Sequence, residues 1–123
     1  MRASLLVAAA LVSGFSSLAA ADESVDAGRK IFVQRCQTCH GGTGPADSPI
    51  GPDLRGIIGR KVGKEGPGMH SRAAVESDVI WDRESLRRFL SAPDKELPGT
   101  LMPSRVTDPK ELDDLLNYLE SLR

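Results

Sequence analysis

Apolar positions recur at helical spacing in two well-separated stretches of the chain. From Val25 to Cys39, Ile31, Phe32 and Arg35 fall in register with Gly28, and no proline interrupts the run, so a first helix is predicted there. Near the other end Leu112, Leu115, Leu116, Leu119 and Leu122 form one apolar stripe. Its start signals are strong: Asp108 as N-cap, Pro109 at the first position, and Glu111 three residues after the cap. Between these lie a short helix predicted at Ser71 to Glu76 and another at Asp82 to Ala92. In the latter, Asp82 is the expected cap, Glu84 suits the positive end of the dipole, and Pro93 is the stop. Leu86, Phe89 and Leu90 share its apolar face.

The intervening segments carry no period. Residues 41–68 are rich in Gly and Pro, and Pro98-Gly99-Thr100-Leu101-Met102-Pro103 is a second non-helical stretch. A loop of the first kind is uncommon in a small domain unless it wraps something. The expected class is all-α, with a helix at each end and loops between. The N-terminus has its own pattern: Arg2, then an apolar core from Leu5 to Val12, then small residues up to Ala19-Ala20-Ala21. That core is too short to span a bilayer, and Ala19 and Ala21 fit an A-x-A cleavage site. Residues 1–21 are therefore expected to be a cleaved signal peptide, with 22–123 as one domain.

Composition narrows the partners. The chain has 16 Lys plus Arg against 17 Asp plus Glu, and loss of Arg2 with the leader makes the balance slightly more acidic. A nucleic-acid partner would need a basic field, which is missing. About a hundred residues with few aromatics make a thin core, so a large apolar cofactor would help to fill it.

The chemistry concentrates at Cys36-Gln37-Thr38-Cys39-His40, which holds the only two cysteines. C-x-x-C-H is the attachment motif of c-type haem. Two thiols three positions apart can reach neighbouring vinyl groups of one porphyrin, and the adjacent histidine can bind the iron. A redox disulfide and half of a zinc site are the alternatives. Zinc would have only His40 and His70 as further soft ligands, without the usual spacing, and a thioredoxin-like site would be expected beside a βαβ pattern.

With these motifs in order, the chain resembles a class I cytochrome c, of the mitochondrial and bacterial cytochrome c2-like type. The matching stretches are Gly28-Arg29-Lys30-Ile31-Phe32, Gly51-Pro52-Asp53-Leu54, Gly56-Ile57-Ile58-Gly59-Arg60-Lys61, Trp81, Pro98-Gly99-Thr100-Leu101-Met102 and Leu115-Leu116-Asn117-Tyr118-Leu119. His40 and Met102 lie 62 positions apart, a spacing that fits the family without a gap. The resemblance implies a small cytochrome c fold, in which the terminal helices cross and loops wrap one covalent haem c. Cys36 and Cys39 would hold the haem, with His40 and Met102 as axial ligands and the Pro52 carbonyl orienting His40. Arg60 and Trp81 would contact a propionate. Gly28 would let the terminal helices approach closely, with Phe32, Leu115 and Tyr118 at the crossing.

Four positions depart from the family pattern. Phe89 and Ser71 replace tyrosines, Val75 replaces an asparagine, and Ser104 stands where an aromatic residue commonly shields the haem edge. Several basic positions expected around that edge are also lost, to Asp94, Leu101, Asp108 and Pro109, while Arg35 and Lys95 remain. Each of the four removes a hydrogen bond or a lid, and the lost cations predict weak long-range steering.

The implied function is a periplasmic, monomeric, monohaem electron carrier and not an enzyme, cycling Fe(III)/Fe(II) with His/Met ligation. Its expected partners are transient redox proteins: a membrane oxidase, a bc1-type complex, a reaction centre or a periplasmic dehydrogenase. Neither nucleic acid nor stable membrane insertion is expected. The rival readings are a haem subunit of a larger dehydrogenase or oxidase, and a small-ligand sensor with a displaceable Met102.

Overall fold

A computed structural model of the chain describes residues 16–41, 50–64 and 69–123. The apolar leader core at Leu5 to Val12 and residues 42–49 and 65–68 of the long loop lie outside the described residues. Helix α1 (Ser16–Arg35) begins earlier than its pattern predicts. Leu18, three alanines and Glu23 are strong helix formers and extend it on propensity alone. Its residues 17–23 are all exposed, and inward-facing side chains begin only at Ser24 and Val25. The C-terminal bound also differs from expectation. The chain turns at Cys36 and restarts as the single turn α2 (Gln37–His40), whose amides bond back to the Cys36 carbonyl at 3.1 Å from Cys39 and 2.9 Å from His40.

Capping explains the next elements. Ser71 caps α3 (Arg72–Glu76), its hydroxyl accepting from the Ala74 amide at 3.2 Å. Asp82 caps α4 (Arg83–Ser91) in a reciprocal box: its carboxylate accepts from Ser85 N–H at 2.7 Å, while the Ser85 hydroxyl accepts from Asp82 N–H at 2.8 Å. Pro93 ends α4 as expected and then opens a further single turn, α5 (Pro93–Glu96), at the position where proline is tolerated. One turn carries too little periodicity to be foreseen. Asp108 caps α6 (Pro109–Ser121) through the Glu111 amide at 2.9 Å. Leu122 is not the last helical residue but the C-cap, and its carbonyl accepts from Gly56 N–H at 2.9 Å.

The described part of the long loop is ordered by backbone pairing that no side-chain period announces. Lys61 and Ile80 form an isolated antiparallel bridge. Flanking bonds run from Gly59 N–H to the Trp81 carbonyl and from Trp81 N–H to the Arg60 carbonyl, both at 2.8 Å. Among the described residues the architecture is the expected all-α one.

The most extensive helix contact is between α1 and α6. At its centre, a Cβ placed on Gly28 would lie 1.9 Å from the Asp114 carbonyl oxygen and 2.8 Å from Tyr118 Cβ. Glycine alone permits this approach. Phe32 and Tyr118 pack beside it with ring centroids 5.3 Å apart, and Leu115 and Leu116 are fully buried. Asp114 is buried at the same contact, accepting from Ser24 Oγ at 2.5 Å and Lys110 Nζ at 2.7 Å, and Asn117 Nδ2 donates to Ser24 Oγ at 2.8 Å.

Two outcomes follow from this contact. Gly28→Ala gains about 1 kcal/mol of helix propensity but meets backbone, and it should destabilise the fold by a net ~2 kcal/mol or more, read as a lowered thermal midpoint. The bonds from Lys110 and Ser24 hold the Asp114 carboxyl below its usual range. Its contribution to stability is therefore complete above the unfolded-chain value of about 4 and is lost as pH falls through the lower folded-state value. Thermal midpoints measured from pH 7 down to pH 2 should fall less steeply on the acid side in Asp114→Asn than in wild type.

Candidate functional site

One large cleft opens between the loops and the helical core, with about 1170 Å³ of empty space including its mouth. Its walls come from helices and loops distant in sequence. α1 contributes Phe32, the first loop Leu54 and Ile57, α4 Leu86, Phe89 and Leu90, and α6 Leu115 and Leu119. Trp81 is buried in the wall against Phe89, with ring centroids 5.2 Å apart.

Six of the seven residues singled out from the sequence line this cleft: Cys36, Cys39, His40, Pro52, Trp81 and Met102. The break after α1 makes this possible, because Cys36 closes one helix and Cys39 and His40 lie on the next turn. Burial pushes the Cys36 thiol up to about 11. A reactive disulfide-exchange cysteine needs the opposite, a lowered value that yields thiolate. Among the described residues no group of three or more His, Cys, Asp or Glu side chains could hold a metal ion by itself.

His40 is held from behind. Its Nδ1 lies 2.8 Å from the Pro52 carbonyl oxygen. A carbonyl only accepts, so Nδ1 carries the proton and the neutral ring keeps its lone pair on Nε2, the atom a metal would take. Gly51 supports the same ring. A Cβ there would sit 2.8 Å from His40 Nδ1 and 2.9 Å from Cε1, and the Gly51 amide donates to the Cys39 carbonyl at 2.7 Å. Gly51 has a steric role that the sequence signals only as a glycine beside Pro52.

Met102 reaches the cleft from a loop tightened at two points. The Thr100 amide donates to the Leu97 carbonyl at 2.9 Å, and the Met102 amide to the Thr100 hydroxyl at 3.3 Å. Arg60 is the seventh residue, and it does not line the cleft. Its guanidinium donates to the main-chain carbonyls of Asp53, at 3.3 Å, and Arg55, so it braces the loop that presents Pro52.

The departures are also placed. Phe89 fills the wall against Trp81, and Ser71 spends its hydroxyl as the α3 cap while lining the cleft. Val75 is exposed and outside the lining. Ser104 is at the mouth, where its hydroxyl donates to the Arg35 carbonyl at 3.4 Å and ties the Met102 loop to the end of α1. The cleft thus combines an apolar slot, two thiols on adjoining turns, an imidazole with its tautomer set and a thioether. That donor set and lining fit a haem.

The family pattern of cytochrome c matches residues 25–123. A cytochrome c2 from Agrobacterium tumefaciens (strain II Chrys) is 39% identical over 90 residues, covering 70% of this chain and 81% of that protein. Cytochrome c type-1 of Ascaris suum is 41% identical over 97 residues, covering 77% and 85%. Among solved structures, cytochrome cH from Methylobacterium extorquens superposes with a TM-score of 0.67 at 36% identity, covering 78% of this chain and 96% of that one. With fold, motif and cleft in agreement, the chain belongs to the cytochrome c family, whose members carry one covalent haem c.

Proposed function

We propose that this chain is an exported monohaem carrier whose iron is held by His40 and Met102. The coarser statement, a monohaem electron carrier, follows from the family. The observation that carries the finer one is the convergence of His40, with its tautomer set by Pro52, and Met102 on the same apolar cleft. Bound haem supplies a one-electron Fe(III)/Fe(II) couple.

The residues around it have separable tasks. Cys36 and Cys39 anchor the macrocycle by thioethers. The Pro52 carbonyl draws on the Nδ1 proton, which makes His40 a stronger donor. Met102, a soft and weak donor, favours the reduced state and places the carrier among higher-potential partners. Phe32, Trp81, Phe89 and Leu115 exclude water from the slot. Arg60 acts from the loop behind, by holding the carbonyls of Asp53 and Arg55. No base or nucleophile is required, since the reaction moves an electron.

The mouth of the cleft is the surface for a redox partner. Ile50, Met69 and Leu101 line it and are about half exposed, at 46%, 55% and 62%. Nearby Arg35 pairs with Glu111 at 3.0 Å and Arg105 with Asp94 at 3.4 Å. A rim with such internally paired cations steers weakly at long range, and docking to a transient partner should depend little on salt. For residues 1–21 we retain the export leader. The exposure of residues 17–23, and packing that starts at Ser24, support a domain that begins just after it.

A redox titration followed by visible spectroscopy tests the ligation. Ferric wild type should show the iron–methionine band at the red end of the visible spectrum. Met102→Ala should lose that band, bind CO when reduced, and drop in potential by a sizeable part of the ~0.8 V that axial ligands span. Ready CO binding by wild type would instead favour a ligand sensor. Gly51→Ala places a methyl against the His40 ring and should lower the yield of holoprotein while leaving the Met102 loop intact. A pyridine haemochrome spectrum of that variant would report both yield and attachment.

A further inference from the structure

Behind His40 the loop 52–60 contains an ion pair, Asp53 with Arg55, that the electron-carrier reading does not use. Asp53 and Arg55 form a two-point ion pair: Arg55 Nε lies 2.9 Å from Asp53 Oδ2 and 3.1 Å from Oδ1, and its terminal nitrogen also contacts Oδ2. The Arg55 main-chain amide donates to the same Oδ1 at 2.9 Å. One carboxylate therefore closes the turn through backbone and side chain together. Arg60 adds the third hold by donating to the main-chain carbonyls of Asp53 and Arg55.

Bidentate charge-assisted pairs are stronger and more directional than single ones. This pair is also partly shielded, with side-chain exposures of 21% for Asp53 and 36% for Arg55. Arg55 accordingly holds the Asp53 carboxyl below its ordinary range. The carbonyl immediately before this clamp is that of Pro52, the acceptor for His40 Nδ1–H at 2.8 Å. Pro52 has no amide hydrogen and so cannot anchor itself from its nitrogen side. The direction of its carbonyl depends on the peptide it shares with Asp53.

We infer that Asp53 and Arg55, with Arg60, are positioning residues that fix the Pro52 carbonyl on His40 and thereby set the donor strength of the imidazole. The role rests on the proposed ligation of iron by His40 only in its last step. The clamp and the Nδ1–H···O=C bond can be judged without it. A clamp that acts this way keeps the Nδ1 proton bonded, whereas a surface ion pair of no consequence would leave that proton indifferent to its loss.

The test is proton exchange at His40 Nδ1, followed by nitrogen-15 NMR on histidine-labelled, reduced holoprotein. The Leu115 amide, in the buried α1–α6 contact, reports global opening. Arg55→Ala and Asp53→Ala should each speed Nδ1–H exchange about tenfold, which corresponds to ~1.4 kcal/mol, with the Leu115 amide unchanged. Asp53→Asn keeps an oxygen for the Arg55 amide and should fall between these and wild type. If the alanine variants do not fold, Arg55→Gln and Asp53→Asn give the same comparison at conserved volume. Wild-type exchange rates in the variants, or an equal acceleration at Leu115, would overturn the inference. The Nε2 chemical shift in the same spectra reports whether His40 binds iron, so failure of the ligation reading is seen separately.

Discussion

Where α1 passes α6, the Asp114 carbonyl lies so close to Gly28 that even a methyl group would not fit between them. That approach sets the distance between the two longest helices, and the site inherits its geometry from them. Eight residues after Gly28, immediately past the end of α1, comes Cys36, so the first thiol is positioned by one crossing helix. Leu115 and Leu119 on the other helix form the floor of the cleft. Tyr118 and Phe32 lock the rotation of one helix against the other. A change in this contact would move the wall and the attachment point together.

The remaining tertiary ties fasten loops and short helices to that crossing. Arg83 at the start of α4 reaches Asp113 at 3.3 Å, Glu120 at 2.7 Å and Asn117 at 2.9 Å on α6, and Arg87 also contacts Asp113. These partners are partly exposed, so each pair adds little alone. As a network they align α4 with α6, and α4 presents Leu86, Phe89 and Leu90 to the cleft. Gly56 bonded to the Leu122 carbonyl performs the same service for the first loop. The helical frame is thus built from local signals, while the site is delivered by loops pinned to it.

That division decides what could be read in advance. Asp82, Asp108, Pro109 and the Leu112-to-Leu119 stripe act over a few residues, and α4 and α6 appear where those signals place them. Cys36, Cys39, His40 and Met102 were legible as a motif and a spacing, which needs no knowledge of the path between them. The break at Cys36 was not legible, because nothing in Phe32 to His40 lacks helix propensity strongly enough to stop a helix. The early start of α1 was missed for the converse reason: leader-like alanines and leucine also favour helix. Arg60 braces carbonyls of its own loop, a contact that neither motif nor spacing announces. Which acceptor an arginine finds depends on loop geometry, and residues 50–64 have no period from which to infer it.

The substituted positions show how such a site tolerates change. Losing a tyrosine at Ser71 removes a phenol from the cleft, yet the serine gives α3 a cap that tyrosine could not supply. Ser104 gives up an aromatic shield but bonds to the Arg35 carbonyl at the end of α1. Phe89 retains the ring that packs on Trp81 and loses only a hydroxyl. Ser71 and Ser104 each spend their hydroxyl on contact within the chain. Behind His40, by contrast, Gly51, Pro52 and the loop that follows them are densely bonded within the chain.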